Sequence, residues 1–333
     1  MFIKDILKKY SYEVSLTLFA IVILVLFNIK VPYEIYTTGG LIDVSKKYEI
    51  SEIFDSKGTF NYTYVTQVKG NVLTYLLSYL IPGWDLKKDE ELKIENESMD
   101  DSAARSDLLM MQSNQTAIKL AYESASKYYK TTGTNYYVGY IYKDAETNLE
   151  VGDQIISFDG ITLDNLEELD SYLSTKEIGY RVILRVKNDK KTYERYAYVK
   201  EYEGNNKLYL YIVDVEDYVT KPKIQLNVSD SETGSSGGLL FTLSLYDSLV
   251  EEDITSGLTI SGTGTIDEEG NVGSISAVYY KLKGAVKKKA DVFLVPSGEN
   301  YKEAIKLKEK YDYDIKIIEV KTFAEALEKL KKL

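Results

Sequence analysis

The 333-residue chain contains no histidine and no cysteine. Without an imidazole there is no Ser-His-Asp triad, because the usual proton acceptor is missing. Without thiols there is no cysteine nucleophile, no disulfide framework and no ordinary Cys/His zinc site. Basic charge is in deficit: 41 Lys and Arg stand against 52 Asp and Glu, a net charge of −11. The basic footprint of a nucleic-acid binder is therefore missing, and nucleic acid is not an expected partner. No Gly-Lys-Ser/Thr follows the glycine-rich stretch at 234–238, which excludes a Walker loop. If a serine here acts as a nucleophile, its base must be a lysine, a carboxylate or a terminal amine.

Tyrosine is plentiful, with 31 copies. A ring with a polar tip suits sheet faces and interfaces more than any single chemistry. The most apolar stretch lies near the start, where "VSLTLFAIVILVLF" (residues 14–27) carries no charge. Extended to residue 31, a helix there reaches about 27 Å, close to a hydrocarbon core of about 30 Å once Lys30 snorkels to the interface. Tyr10, Tyr12, Tyr33 and Tyr36 flank it, as an aromatic belt does. Lys4, Lys8 and Lys9 precede it, so residues 1–13 are expected in the cytoplasm and everything beyond residue 31 outside. A cleaved signal peptide is the competing reading. The residues that follow, "NIKVPYEIY", offer no small-x-small cleavage site, and the expectation is an uncleaved single-pass anchor over 14–31.

Beyond the anchor, "GTFNYTYV" alternates as a strand does and then passes into a helix-like apolar run. The charged "KKDEELKIENESMDDSAARSD" reads as solvated loop or helix surface, and "SNQTAIKLAYESASKYY" as a helix capped by Ser113 or Asn114. Between residues 136 and 200 the pattern is strand, loop, strand, turn, helix, hairpin, with turn signals at Asp159-Gly160 and Asn188-Asp189. Leu166, Leu169 and Leu173 form a short helical stripe. The last third runs strand, Gly-Ser turn, apolar helix, strand pair, and then alternating helices and strands. That order predicts an α/β sheet.

"LEVGDQIISFDGITL" resembles the core of a bacterial PDZ domain through Leu149, Gly152, Asp153, Ile155 and Gly160. The resemblance implies a module that binds an extended peptide by adding it to a sheet edge. Its groove is expected to begin near Tyr137, Val138, Gly139 and Tyr140, the other reading of those residues being an interior strand.

"TGSSGGLLF" (residues 233–241) has the composition of a linker but not its setting. The strand-like "KIQLNV" enters it and an apolar helix leaves it, with Leu239, Leu243 and Tyr246 on one stripe. A strand, a tight turn and a helix start present unpaired N–H groups at the positive end of the helix dipole, which suits a developing oxyanion. For a base, Lys281 borders the apolar stripe of its predicted helix beside Val278 and Ala285, whereas Lys283 and Lys287 face away. Burial lowers a lysine pKa, but a snorkelling surface lysine fits the spacing equally.

From "KIQLNV" through "SGTGTIDEEGNVGSISAVYYK" to "DVFLVPSGENYKEA" the chain resembles the proteolytic domain of Lon-type serine proteases. End to end it resembles the membrane-anchored PDZ-Lon proteases of Gram-positive bacteria, with "KVPYEIYTTGGLIDV" and "GTFNYTYVTQV" also in keeping. The family's Gly-Pro-Ser-Ala-Gly falls on residues 234–238, which carries the nucleophile over to Ser236. Its Lys follows Val-Gly-x-Ile, here Val272-Gly273-Ser274-Ile275, and falls on Lys281, while Thr263 matches the Thr that orients the amine. Two motifs depart from the pattern: Ser235 and Gly237 replace Pro and Ala, and Ser276-Ala277 replaces a Gly-Gly pair.

The resemblance implies an α+β chain with a transmembrane helix and a Lon-type α/β domain split by a PDZ insertion. The expected parts are a protease segment at 32–133, the PDZ domain at 134–202 and the catalytic segment at 203–333. The implied activity is ATP-independent endopeptidase action by a Ser-Lys dyad, with no cofactor and no metal. Implied partners are peptide or protein substrates, the membrane, and further copies of the chain in a hexamer. The competing functional reading is an inactive PDZ scaffold at the cell surface, to which the altered serine motif points. A C-terminal-processing protease, which also joins PDZ with Ser and Lys, ranks below because its serine motif and strand order differ.

Overall fold

The computed structural model describes residues 10–88, 94, 97–188, 190–227, 229 and 232–333. Lys4, Lys8, Lys9 and Asp189 lie outside the described residues. The apolar run near the start forms helix α1, Ser11–Asn28, 18 residues with none buried in the protein. At 1.5 Å per residue it spans about 27 Å, and it is long and apolar enough to cross a membrane, a test that a signal sequence also passes. The expected span of 14–31 is shifted: the helix begins earlier, and Lys30 and Val31 already belong to strand β1, Lys30–Asp43.

The chain folds as two compact units: residues up to Gly39 with Val65–Leu92, and Gly40–Tyr64 with Lys93–Leu333. In chain order the next elements are β2 (Tyr48–Ile50), β3 (Thr59–Asn71), α2 (Val72–Ser78), β4 (Trp84–Lys88) and α3 (Met99–Ser124). In the first unit, β1 pairs antiparallel with β4, Tyr33 opposite Lys88 and Thr37 opposite Trp84. Helix α3 begins well before the expected cap. Ser98 and Asp101 form a reciprocal capping box that starts the helix inside the charged stretch. Ser113 is instead a buried mid-helix residue.

The middle of the chain supplies β5 (Tyr128–Ile141), β6 (Gln154–Phe158), β7 (Ile161–Thr162), α4 (Leu166–Ser174), β8 (Arg181–Asn188) and β9 (Lys191–Tyr198). Short strands β10 (Lys200–Tyr202) and β11 (Asn205–Lys207) follow, and then the long β12 (Leu210–Lys221). Six of these strands form a sheet of order β12-β5-β6-β8-β9 with β7 paired to β6, and β10 and β11 pair separately. Its core holds Val138, Ile155, Phe158, Leu169, Leu173, Val182 and Leu184. The core continues through Leu208, with Leu210 and Ile212 packed against it. A boundary at residue 202 therefore cuts through one folding core, because the closing strand β12 comes later.

The rest of the second unit is β13 (Ile224–Leu226), α5 (Gly238–Leu249), β14 (Thr259–Gly262), β15 (Thr265–Ile266), β16 (Val272–Gly273), α6 (Val278–Lys287), β17 (Val292–Pro296), α7 (Glu299–Tyr311), β18 (Lys316–Val320) and α8 (Phe323–Leu330). A second sheet includes the consecutive strands β18-β17-β14-β3. Its β18, β17, β14 and β3 pair in parallel, the arrangement that helix–strand alternation produces. One core joins Val44, Phe60, Ala117, Ile118 and Tyr122 to Leu239, Leu243, Ile260 and Leu294. Those residues come from both sides of the β5–β12 insert. Helix α5 buries ten of its twelve residues rather than one stripe. A helix apolar on all sides belongs inside a core.

Candidate active site and peptide groove

Ser236 sits in the turn that opens α5, and Lys281 in the first turn of α6. The strand-to-helix connection needs glycine where the backbone is left-handed, as at Gly234 with φ 92°. It needs glycine again at Gly238, where a Cβ would approach Ser113 Oγ to 2.7 Å and Ile266 Cγ2 to 2.9 Å. Close packing against α3 and β15 thus sets where the turn lies. Ser113 Oγ donates to the Ser235 carbonyl at 3.3 Å, and Gly234 N–H donates to the Ser106 carbonyl at 3.2 Å.

The structure brings the sequence candidates Ser236, Lys281 and Thr263 together. Lys281 Nζ lies 2.8 Å from Ser236 Oγ and 3.1 Å from Thr263 Oγ1. Thr263 is fully buried and Lys281 only 6% exposed. The lysine side chain has two hydroxyl partners and no carboxylate salt bridge among the described residues. Burial therefore acts on it uncompensated and lowers its pKa from 10.5 to about 8. Thr263 Oγ1 donates its hydrogen to the Ser236 carbonyl at 3.0 Å, which leaves its lone pairs facing the lysine. The same carbonyl accepts Gly264 N–H at 2.8 Å. One threonine thus ties the serine turn, the end of β14 and the amine into a single unit.

Sequence reading missed a second clamp on the turn. Glu232 is held by Lys47 and accepts a 2.8 Å hydrogen bond from Tyr62 OH, and the Tyr62 ring lies against Gly237. Burial and the neighbouring carboxylate push the Tyr62 phenol up, so it remains a hydrogen-bond donor. Lys47 and Glu232 are 185 positions apart, and no local pattern could have linked them.

The peptide-groove expectation is corrected. Tyr137–Tyr140 belong to an interior strand: Tyr137 pairs with Val213 of β12 on one side and Gln154 of β6 on the other. Val138 N–H donates to Asp153 O, and Val138 O accepts from Gly152 N–H. Tyr137 and Val138 are thus paired on both sides among the described residues. The end strand on this side of the sheet is β12. Between β12 and α4 runs a groove of about 630 Å³, lined by Leu166, Leu169 and Leu173 from the helix and by Tyr209, Leu210 and Ile212. Tyr140 also lines the same groove. Tyr209 takes a positive φ of 56°, which turns the chain into the edge strand, and Lys207 pairs with Asp170 at 2.6 Å beside it. Helix α3 touches both places: Gln112 and Gln115 bond Asp214 and Glu216 of β12, while Ser106 and Ser113 hold the Ser236 turn.

An edge strand facing a helix across an apolar groove, on a small six-stranded sheet, is the arrangement of a peptide-recognition module. Residues 142–195 match the family model of the PDZ domain, and a PDZ domain is present in the chain. Among solved structures, the chain is similar to the PDZ domain of the SdrC-like protein of Listeria monocytogenes. The identity is 22% and the TM-score 0.23, covering 25% of this chain and 93% of that one. It is also similar to the second domain of the Listeria protein Lin2157, at 25% identity and a TM-score of 0.22, covering 26% of this chain and 90% of that one. No curated protein matches the chain.

Proposed function

We propose that the chain is a Lon-type serine endopeptidase working with a Ser236–Lys281 dyad, tethered by α1 and supplied with substrate by its PDZ domain. The observation that carries this reading is the buried Lys281 amine at 2.8 Å from the Ser236 hydroxyl, with a pKa lowered to about 8. A general base works best with a pKa near the operating pH. When protonated, Lys281 donates to Ser236 Oγ. When neutral, it accepts the Ser236 proton while keeping one N–H on Thr263 Oγ1. Ser236 Oγ then attacks a peptide carbonyl, and N–H groups of the turn at the positive end of α5 stabilise the oxyanion. Lys281 gives that proton to the leaving amine as the peptide C–N bond breaks; the now neutral Lys281 then takes a proton from water, which attacks the acyl carbonyl, and returns it to Ser236 Oγ as the acyl–oxygen bond breaks.

Both replaced motif positions are compatible with this chemistry. Ser235 and Gly237 are small, and neither occupies the place of the two reacting atoms. The decisive test against an inactive scaffold is a fluorophosphonate probe: the wild-type chain labels and Ser236→Ala does not. Absence of labelling from pH 7 to 9 with peptide binding intact would establish the scaffold instead. Thr263→Val, which keeps the shape but removes the lone pair facing the amine, is expected to lower kcat about 10- to 100-fold with KM nearly unchanged, as for a lost orienting hydrogen bond.

Substrate recruitment is assigned to the β12–α4 groove, where main-chain pairing supplies affinity and the leucines of α4 supply a pocket for apolar side chains. Leu166→Glu is expected to weaken peptide binding about tenfold or more while leaving fluorophosphonate labelling of Ser236 unchanged. With α1 in the membrane, the region after it is placed outside the cell. Protease added to intact cells digests it in that orientation, and digestion only after permeabilisation reverses the assignment.

A further inference from the structure

Helix α2 buries none of its seven residues, although its sequence is VLTYLLS. It opens an uncharged stretch over residues 70–84. Leu76 is 51% exposed, Tyr79 69% and Leu80 76%. Helices this short have marginal stability in isolation, and this one is held at both ends of its first turn. Asn71 and Thr74 form a reciprocal capping box, and Val72 N–H donates to the Ile29 carbonyl at 2.9 Å. Ile29 is the C-cap residue of α1. The start of α2 is therefore bonded to the point where the apolar helix ends and the chain turns into a strand.

Aromatic contacts make the same connection. Tyr33, five residues past the end of α1, lies 5.3 Å from the Tyr75 ring, and Tyr75 lies 5.5 Å from Tyr79, whose hydroxyl donates to it at 2.9 Å. Three tyrosines thus surround the exit of α1 in the place where amphipathic rings favour the headgroup level. A contiguous apolar surface normally has an occupant. Here the medium in which α1 is soluble reaches the same spot, whereas water would have to solvate half of Leu76 and most of Leu80.

We propose that α2 and the turn after it, through Leu80, form an interfacial hook. Its apolar side chains enter the headgroup–acyl boundary of the bilayer that α1 crosses, with the Tyr33–Tyr75–Tyr79 cluster at headgroup level. The occupant is lipid. The hook fixes the tilt and rotation of α1 at its exit, which a single apolar helix leaves undetermined. The inference rests on α1 spanning a membrane, and it is independent of the dyad.

Because the chain has no cysteine, single labels can be placed cleanly. Leu24→Cys, Leu76→Cys, Leu80→Cys and, as an aqueous reference, Glu52→Cys carry a nitroxide in the full-length chain reconstituted in phosphatidylcholine–phosphatidylglycerol vesicles. Collision with oxygen and with nickel-EDDA is measured at each site. Labels at 76 and 80 are expected at about 5–10 Å depth, the range of interfacial helices, with 24 deeper and 52 in water. If 24 is in lipid while 76 and 80 collide freely with nickel, the hook is refuted and the anchor stands. If 76 and 80 are shielded from both reagents, protein covers them, and the lipid assignment is again refuted. If 24 is aqueous as well, the anchor and the hook fall together.

Discussion

Lys281→Met is expected to reduce peptide hydrolysis by at least about 10³-fold, in the range found when a general base is removed. It should cost as much as Ser236→Ala, and the double variant should cost no more than either, because the two groups act as one unit. The cause is geometric and electrostatic together: the amine is 2.8 Å from the nucleophile, and burial sets its pKa at about 8. The pH dependence follows with a definite sign. In the proposed mechanism the reactive form is the neutral amine, so the wild-type rate is expected to rise with pH. A group of pKa about 8 is about one-tenth neutral at pH 7 and about nine-tenths at pH 9, which gives an expected increase in kcat/KM of about tenfold across that interval. Assay of a fluorogenic peptide against pH checks both statements. A flat profile, or a Met variant retaining more than a tenth of the rate, removes Lys281 as the base.

The same substitution is expected to stabilise the fold. The folded-state pKa of Lys281 is depressed from 10.5 to about 8. Below pH 8 the lysine is charged in both states, and the folded state bears the full cost of desolvating it. Between about pH 8 and 10.5 the folded chain binds fewer protons than the unfolded chain, so stability rises with pH through that window. A shift of this size corresponds to about 3 kcal/mol at pH 7, at about 1.36 kcal/mol per unit. Lys281→Met removes that cost with a side chain of similar length, so its unfolding free energy from urea titration at pH 7 should exceed that of the wild type by about 2–3 kcal/mol. The advantage should shrink toward pH 10. Loss of activity joined to a gain in stability is the signature of a strained catalytic group. A Met variant less stable than the wild type would show that Lys281 is a structural residue.

Local order was largely legible. The Leu166, Leu169 and Leu173 stripe, the Asn188 hairpin and the alternating elements after residue 278 all appear as the periodicities predict. The start of α3 was less legible, because its first turns are charged rather than apolar, and the Ser98–Asp101 box is what marks it. The edge of the inserted sheet was not legible at all. Tyr137–Tyr140 and Leu210–Ile212 are both apolar strands, and which one lies at the end depends on pairing between segments about 70 residues apart.

By itself the sequence determined the chemistry that was available. With no imidazole and no thiol, a serine here could be activated only by a lysine, a carboxylate or a terminal amine. The PDZ motif and the apolar helix near the start were legible as well, because both are written in contiguous residues. Tertiary structure decided which of many lysines is desolvated, since burial depends on what other segments pack over it. It also decided that Thr263 hands its proton to the Ser236 carbonyl and its lone pair to the amine. The distance between the ends of two side chains 45 positions apart is set by the packing of α5, β14 and α6, which no local pattern encodes.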